Sequence, residues 1–189
     1  LPNLLNKYLK THPQVKFNIV NLQSLELEEQ LKELTFDMVI CFNPSDTDLF
    51  EKVTLYSGSL VLIAPMNKAP KNKVFKLSEI KEEPFIKIKN LKSNASQNNL
   101  DEVLKQKNIN VNWIAETETI QVAKAMVEKG SGYSIIDSFS AEIYGEEISI
   151  HEIEPKIGYK ICMVSNKEKP LSVSAKSFIS FLSDPSSKI

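Results

Sequence analysis

The sequence predicts an α/β protein folded as two lobes. Three observations carry this. Strands alternate with helices along most of the chain, which implies a largely parallel sheet. A polar, proline-containing stretch, MNKAPKNK (66–73), interrupts the alternation as a crossing between lobes would. A strand and a helix then return late, at the C-terminal end.

The elements follow in order. In LPNLLNKYLKTHP, Leu1, Leu4, Leu5 and Tyr8 recur at i, i+3, i+4, i+7, and Pro13 ends the run, so this is a helix. VKFNIVNL (15–22) reads as a strand. LEEQLKEL (27–34) is a helix that Ser24 can cap, with Glu28 and Lys32 as an i,i+4 pair. FDMVICF (36–42) is mostly apolar, the type buried on both faces of a parallel sheet. Asn43, Pro44, Ser45 and Asp46 break it. KVTLYS and SLVLIAP (52–65) read as two strand segments hinged at Ser57-Gly58. A turn at Leu77–Ile80 precedes the strand PFIKIKN (84–90). The loop LKSN leads to a helix over 95–107, with Asn94 and Gln97 spaced as a capping box. NVNWIAETE (110–118) is a strand, IQVAKAMVEK (120–129) a helix and GYSIID (132–137) a strand. A weak helical turn around Ser140–Tyr144 precedes the strands ISIHEI (148–153) and KIGYKICMVSN (156–166). SVSAKSFISFLSD (172–184) closes the pattern, with Ala175, Phe178, Ile179 and Leu182 on one helical face.

Composition excludes several classes of function. The chain has 189 residues, 42% hydrophobic and 25% charged, which is ordinary for a globular protein able to bury a core. A net charge of −1 gives no general electrostatic reason to bind nucleic acid. No run approaches the roughly 18 apolar residues of a membrane span, and no signal peptide is visible. Cys41 and Cys162 both sit in apolar runs and read as small core residues in a reducing cytoplasm. All 23 basic residues are lysine, so any anion must be held by lysine, backbone N–H groups or hydroxyls rather than a guanidinium clamp.

The candidate chemistries are then few. Gly130-Ser131-Gly132 invites comparison with a phosphate loop, but such loops run strand, glycines, helix. Here a helix comes first, so Gly130 reads as a helix terminator with φ > 0, and Gly132 as a point of tight packing entering the strand. Only two histidines exist. His12 stands at a helix end where it can meet exposed carbonyls, and His151 alternates with strand residues toward solvent. Neither suits a catalytic triad, and two histidines with two core cysteines do not suggest zinc. Asp46, Asp48 and Glu51 lack the spacing and glycine of a calcium loop; Asp48 and Glu51 fit the capping of a short turn over 48–52. Trp113 reads as core. No cofactor or metal site is therefore expected.

Ligands of open α/β sheets bind beyond the carboxyl ends of parallel strands, where helix N-termini converge. The polar residues expected there are Asn21, Gln23, Ser24, Asn43 and Ser45, then Lys92, Ser93, Asn94 and Ser96, then Thr117, Glu118, Thr119, Asp137 and Ser138. Helix capping is the competing role for each, and a cap facing a cleft can also meet a ligand.

Five blocks in register resemble the effector-binding (substrate-binding) domain of LysR-type transcriptional regulators: LPNLLNKYLKTHPQVKFNI, LKELTFDMVICF, LYSGSLVLIAP, KAMVEKGSGYSIID and LSVSAKSFISFL. The resemblance spans nearly the whole chain. It implies a periplasmic-binding-protein type II-like fold, with lobe I at 1–62 and 158–189 and lobe II at 63–157. Two crossover strands would join the lobes, with a small-molecule effector in the cleft between them. It further implies a cytoplasmic homodimer or homotetramer with no membrane role, which meets DNA only through an N-terminal winged helix-turn-helix not contained in this chain. The first strand of lobe I, whose following loop usually contributes hydroxyls to the effector, is also missing. Two departures stand out. Asp137 replaces the proline that often ends the family's Gly-x-Gly strand, and could disfavour an anion or pair with an amine or with Lys92. The absence of arginine removes the commonest carboxylate clamp. An extracytoplasmic solute-binding protein on the same fold is the alternative, and an enzyme on that fold a more distant one.

Overall fold

The computed structural model describes residues 2–20, 33, 36–44, 48–80, 83–89, 95–143, 147–168 and 170–184. The expected helix over 27–34 lies outside these apart from residue 33, as do Ser45, Asp46, the loop 91–94 with its Asn94 cap, and Tyr144.

The chain forms two compact units, Leu1–Ser57 with Lys160–Ile189, and Gly58–Tyr159. It passes from the first to the second within β2 (Phe50–Pro65) and returns within β8 (Gly158–Asn166). β2 is one unbroken strand across Ser57-Gly58, so the two expected segments are continuous. Residues 66–73 lie inside the second unit, beginning as a 3-10 turn at Met66–Lys68.

In the first unit, α1 (Pro2–Thr11) and α5 (Val173–Ser183) pack through an aromatic cluster. Tyr8 is fully buried, with its ring edge-on to Phe178 at 4.9 Å, and Phe17 meets Phe178 at the same 4.9 Å. Leu4, Met163 and Leu182 complete the core. α5 starts where Ser172 accepts the Ala175 N–H at 3.1 Å, which satisfies one of the first turn's free donors. At the end of α1, His12 stacks on Tyr8 at 4.1 Å and its Nδ1 lies 3.3 Å from the Tyr8 carbonyl, the helix-end contact its position suggested. β1 (Val39–Phe42) pairs antiparallel with β8, Val39 opposite Val164 and Phe42 opposite Ile161, and is only half buried. A short apolar run does not distinguish this from a central parallel strand. Residues 15–20, expected as a strand, join no ladder. Val15 and Phe17 reach the aromatic cluster while Ile19 and Val20 are exposed, so packing alone uses the apolar side chains.

The second unit holds a sheet in the order β5-β4-β6-β2-β7-β3, where β3 is Val74–Lys76, β4 Pro84–Ile88, β5 Asn112–Thr117, β6 Tyr133–Asp137 and β7 Ile148–Glu154. β2 runs antiparallel to both its neighbours, whereas β4 pairs parallel with β5 and β6, and β3 with β7. The helices α2 (Ala95–Gln106), α3 (Ile120–Glu128) and α4 (Ser138–Ile143) connect these strands. Val61, Ile63, Ile86, Ile88, Ala123, Val127 and Ile136 form the core where α3 covers the sheet. β3, a three-residue strand, carried no periodic signal to read.

Three side chains depart from expectation here. Trp113 is not core. β5 pairs with β4 only, so the indole is 36% exposed, resting edge-on against Phe85 at 6.1 Å with Lys87 Nζ 5.5 Å from its ring. His151 does not face solvent. β7 lies between β2 and β3, which buries the ring, and Nδ1 sits 2.8 Å from the Asn72 carbonyl. Glu51 lies in β2 rather than in a capped turn, because strand pairing continues to Phe50. The glycines behave as read. Gly130 has φ +80°, with Gly130 N–H donating to Val127 O at 2.9 Å and Ser131 N–H to Met126 O at 3.0 Å, a Schellman end to α3. A side chain at Gly132 would run into the Pro84 carbonyl.

Candidate functional site

The chain visits β4, then β5 on one side of it, then β6 on the other. The connection leaving β4 therefore goes through α2 toward β5, whereas that leaving β6 goes through α4 toward β7. Adjacent parallel strands whose exits diverge make a topological switch point, and ligands of open α/β sheets bind outside the carboxyl ends at such a point. All three carboxyl ends lie along one edge of the unit, at Ile88, Thr117 and Asp137, and the 12-residue α2 and 9-residue α3 begin there. Free N–H groups at helix starts favour anionic or hydrogen-bond-accepting ligands.

Thr117, Glu118 and Thr119 are built into this edge by local hydrogen bonding. The Thr119 N–H donates to Thr117 Oγ1 at 3.3 Å, and Thr119 Oγ1 accepts the Val122 N–H at 3.4 Å, which caps α3. Lys89 N–H donates to Thr117 O at 2.7 Å, tying the end of β4 to that of β5. The Lys89 ammonium stands 3.9 Å from the Glu118 carboxylate, and both side chains are more than half exposed, so the pair contributes little to stability.

Asp137 is buried at the end of β6, opposite Leu60. Its Oδ1 accepts the Ser140 N–H at 2.9 Å and so starts α4. Tyr159 joins the same network: its hydroxyl bonds Asp137, accepts the Phe139 N–H at 3.0 Å and lies 3.1 Å from Ser138 Oγ. Burial raises the Asp137 carboxyl above the usual carboxylate range, and the hydrogen bonds from Ser140 and Tyr159 partly oppose this. The acid expected to pair with an amine or with Lys92 thus has protein partners of its own. The Asp137–Ser140 spacing is a capping signal legible in the chain; Tyr159 reaches the site only through β8.

Of the other expected residues, Ser96 lies in the first turn of α2. Asn21, Gln23, Ser24, Lys92, Ser93 and Asn94 lie outside the described residues. Asn43 belongs to the first unit, where it ends β1 at φ +40°; its Oδ1 accepts the Lys160 N–H at 2.6 Å and its own N–H donates to Lys160 O at 2.9 Å. Its carbonyl oxygen is thereby occupied. The structure brings Thr117, Glu118, Thr119, Asp137 and Ser138 to one edge of the second unit and places Asn43 in the other unit. Among the described residues, no three His, Cys, Asp or Glu side chains gather to hold a metal ion.

Comparison with known proteins places this arrangement. The LysR substrate binding domain family matches residues 1–185. The chain is similar to the HTH-type transcriptional regulator DgcR of Pseudoalteromonas sp, 24% identical over 97% of this chain and 63% of that protein. It is also similar to the transcriptional activator protein LysR of Escherichia coli (strain K12), 23% identical over 94% of this chain and 57% of that protein. The chain therefore spans about three-fifths of these relatives' length. Among solved structures, the Synechocystis PCC6803 CcmR regulatory domain in complex with 2-PG superposes with a TM-score of 0.83 at 17% identity, covering 96% of this chain and 88% of that one. The effector binding domain of QuiR in complex with shikimate gives 0.78 at 22% identity, covering 96% and 87%. The fold is the periplasmic-binding-protein type II-like fold of such domains. By its match over nearly its full length, this chain belongs to the family of LysR substrate-binding domains.

Proposed function

We propose that this domain is the effector-sensing part of a bacterial transcriptional regulator and has no catalytic role of its own. A small molecule would bind at the carboxyl ends of β4, β5 and β6. Its binding would shift the regulator's conformational balance and so its action on DNA, through a DNA-binding domain N-terminal to this chain. The observation that carries the reading is the switch point between β4 and β6, with the starts of α2 and α3 on the same edge. Lys92, Ser93, Asn94, Ser96 and Thr117–Thr119 are the proposed contacts, with Asp137 shaping the floor through its network. Asn21, Gln23, Ser24 and Asn43 are proposed to act at the strand ends of the first unit. With no arginine in the chain, a carboxylate or phosphate on the effector is held by lysine, hydroxyls and helix N–H groups.

The two compact units are read as the two lobes of the family. Copies of the chain are proposed to pair in the cytoplasm, and the exposed Trp113 and Ile114 on the outermost strand β5 support such a contact. No helix among the described residues is long and apolar enough to cross a membrane.

A thermal-shift screen of metabolites against the purified chain tests the proposal. A true effector raises the melting temperature, and Thr119→Ala or Ser93→Ala reduces that rise. An effector whose shift survives both substitutions unchanged places the binding residues elsewhere.

A further inference from the structure

Cys41 and Cys162 are 121 positions apart in the chain, yet β1 and β8 set them directly opposite each other in an antiparallel ladder. Opposite residues of such a pair point to the same face, with Cα atoms roughly 4.5 or 5.5 Å apart. Either spacing falls inside the roughly 4.4–6.8 Å that a disulfide spans. We propose that Cys41 and Cys162 form a reversible cross-strand disulfide, a redox modification site within the first unit.

The surroundings fit an oxidation that starts at one thiol and finishes at the other. Cys41 is half-buried, so an oxidant reaches it, whereas Cys162 is buried and waits beside it. Cys162 Sγ also lies 3.8 Å from Thr54 Oγ1, across its other neighbour β2. With a hydroperoxide as oxidant, the Cys41 thiolate attacks the peroxide oxygen, forming a sulfenic acid and releasing hydroxide or alkoxide. Cys162 then attacks the Cys41 sulfur, the S–O bond breaks, and water leaves. In sum two thiols lose two electrons and two protons, and the peroxide is reduced to water, or to water and an alcohol.

Two features set how the site behaves. Asn43 N–H donates to Lys160 O, so the 43/160 pair is of the hydrogen-bonded kind, and 41/162, two residues along, is of the same wide kind. At the roughly 5.5 Å between Cα atoms of such a pair, the bond closes with little movement of the two strands. Burial, reinforced by the neighbouring Cys162 and only partly offset by Lys52, pushes the Cys41 thiol up to about 11. Little thiolate is present near neutral pH, so the pair oxidises slowly and suits sustained oxidation rather than a brief pulse. The bond closes a loop that contains the whole second unit.

Intact mass and thiol titration under denaturing conditions test this on the purified chain treated with hydrogen peroxide or diamide. The expected result is a monomer lighter by about 2 Da, no titratable thiol, and a cross-linked peptide pair containing both cysteines. Dithiothreitol reverses all three. The rate rises about tenfold per pH unit below the Cys41 value. Cys162→Ser leaves a sulfenic acid at Cys41 that dimedone traps, whereas wild-type protein yields far less adduct. Stepwise oxidation of Cys41 to sulfinic acid with Cys162 still a thiol overturns the proposal. So does cross-linking only between chains, or two thiols surviving exhaustive oxidation. These readouts need no effector, so they stand or fall apart from the sensing role.

Discussion

Replacing Gly132 by alanine tests how the second unit is locked together. An added Cβ would overlap the Pro84 carbonyl oxygen and lie 2.9 Å from its carbon and 3.2 Å from the Pro84 Cβ. Pro84 cannot retreat cheaply. It is the first residue of β4, opposite Asn112 on β5, and the next residue, Phe85, is opposite Tyr133 on β6. Overpacking a tight site costs about 1–3 kcal/mol, and because ladder backbone must move, the upper end applies here. At roughly 2–4 °C per kcal/mol for a chain of this size, the melting temperature falls by about 6–12 °C. Gly130→Ala is the internal control. Its Cβ meets nothing within 4 Å, so only the positive φ of +80° is penalised, at about 1 kcal/mol or some 2–4 °C. Urea and thermal melts followed by Trp113 fluorescence read the consequence locally, since the indole rests on Phe85, the residue after Pro84. If Gly132→Ala costs no more than Gly130→Ala, the close approach of β6's entry to β4 does not constrain the fold.

Two further outcomes follow from the same physics. Asp137 has its folded-state pKa raised, so its favourable contribution is complete below the unfolded value near 3.8 and is lost as pH climbs through the raised value. Wild-type melting temperature should therefore fall relative to Asp137→Asn as pH rises from 3.8 toward neutrality, and a flat or rising difference across a pH series contradicts burial as the main influence. In the first unit, Phe178→Ala removes the ring that both Tyr8 and Phe17 contact at 4.9 Å, and a loss of about 3–5 kcal/mol is expected in denaturant melts. A loss under about 1 kcal/mol would show that α5 is not anchored through this cluster.

Much of the fold was legible because the signals are local. Leu4 and Tyr8 on one helical stripe, Thr119 as a cap, and Gly130 after a helix each carry their structural role in a few neighbouring residues. The failures share a cause as well. Trp113 and His151 both lie in strands whose presence was read correctly, but a strand does not announce its neighbours. An indole on the outermost strand is exposed, and an imidazole between two strands is buried, with the alternation pattern unable to distinguish the cases. The candidate site divides the same way. Thr117–Thr119 and Asp137–Ser140 show their capping spacing in the sequence, while the Tyr159 hydroxyl arrives from β8, 22 positions after Asp137.

By itself, then, the sequence determined most of the element order, the glycine stop of α3, the absence of any guanidinium clamp and the family, all properties of residues near one another or of composition. The tertiary structure alone decided which strands are neighbours. That choice made a switch point of β4 and β6, turned Asp137 into a buried cap, and set Cys41 against Cys162. Strand pairing depends on contacts between distant segments, and no local spacing records it.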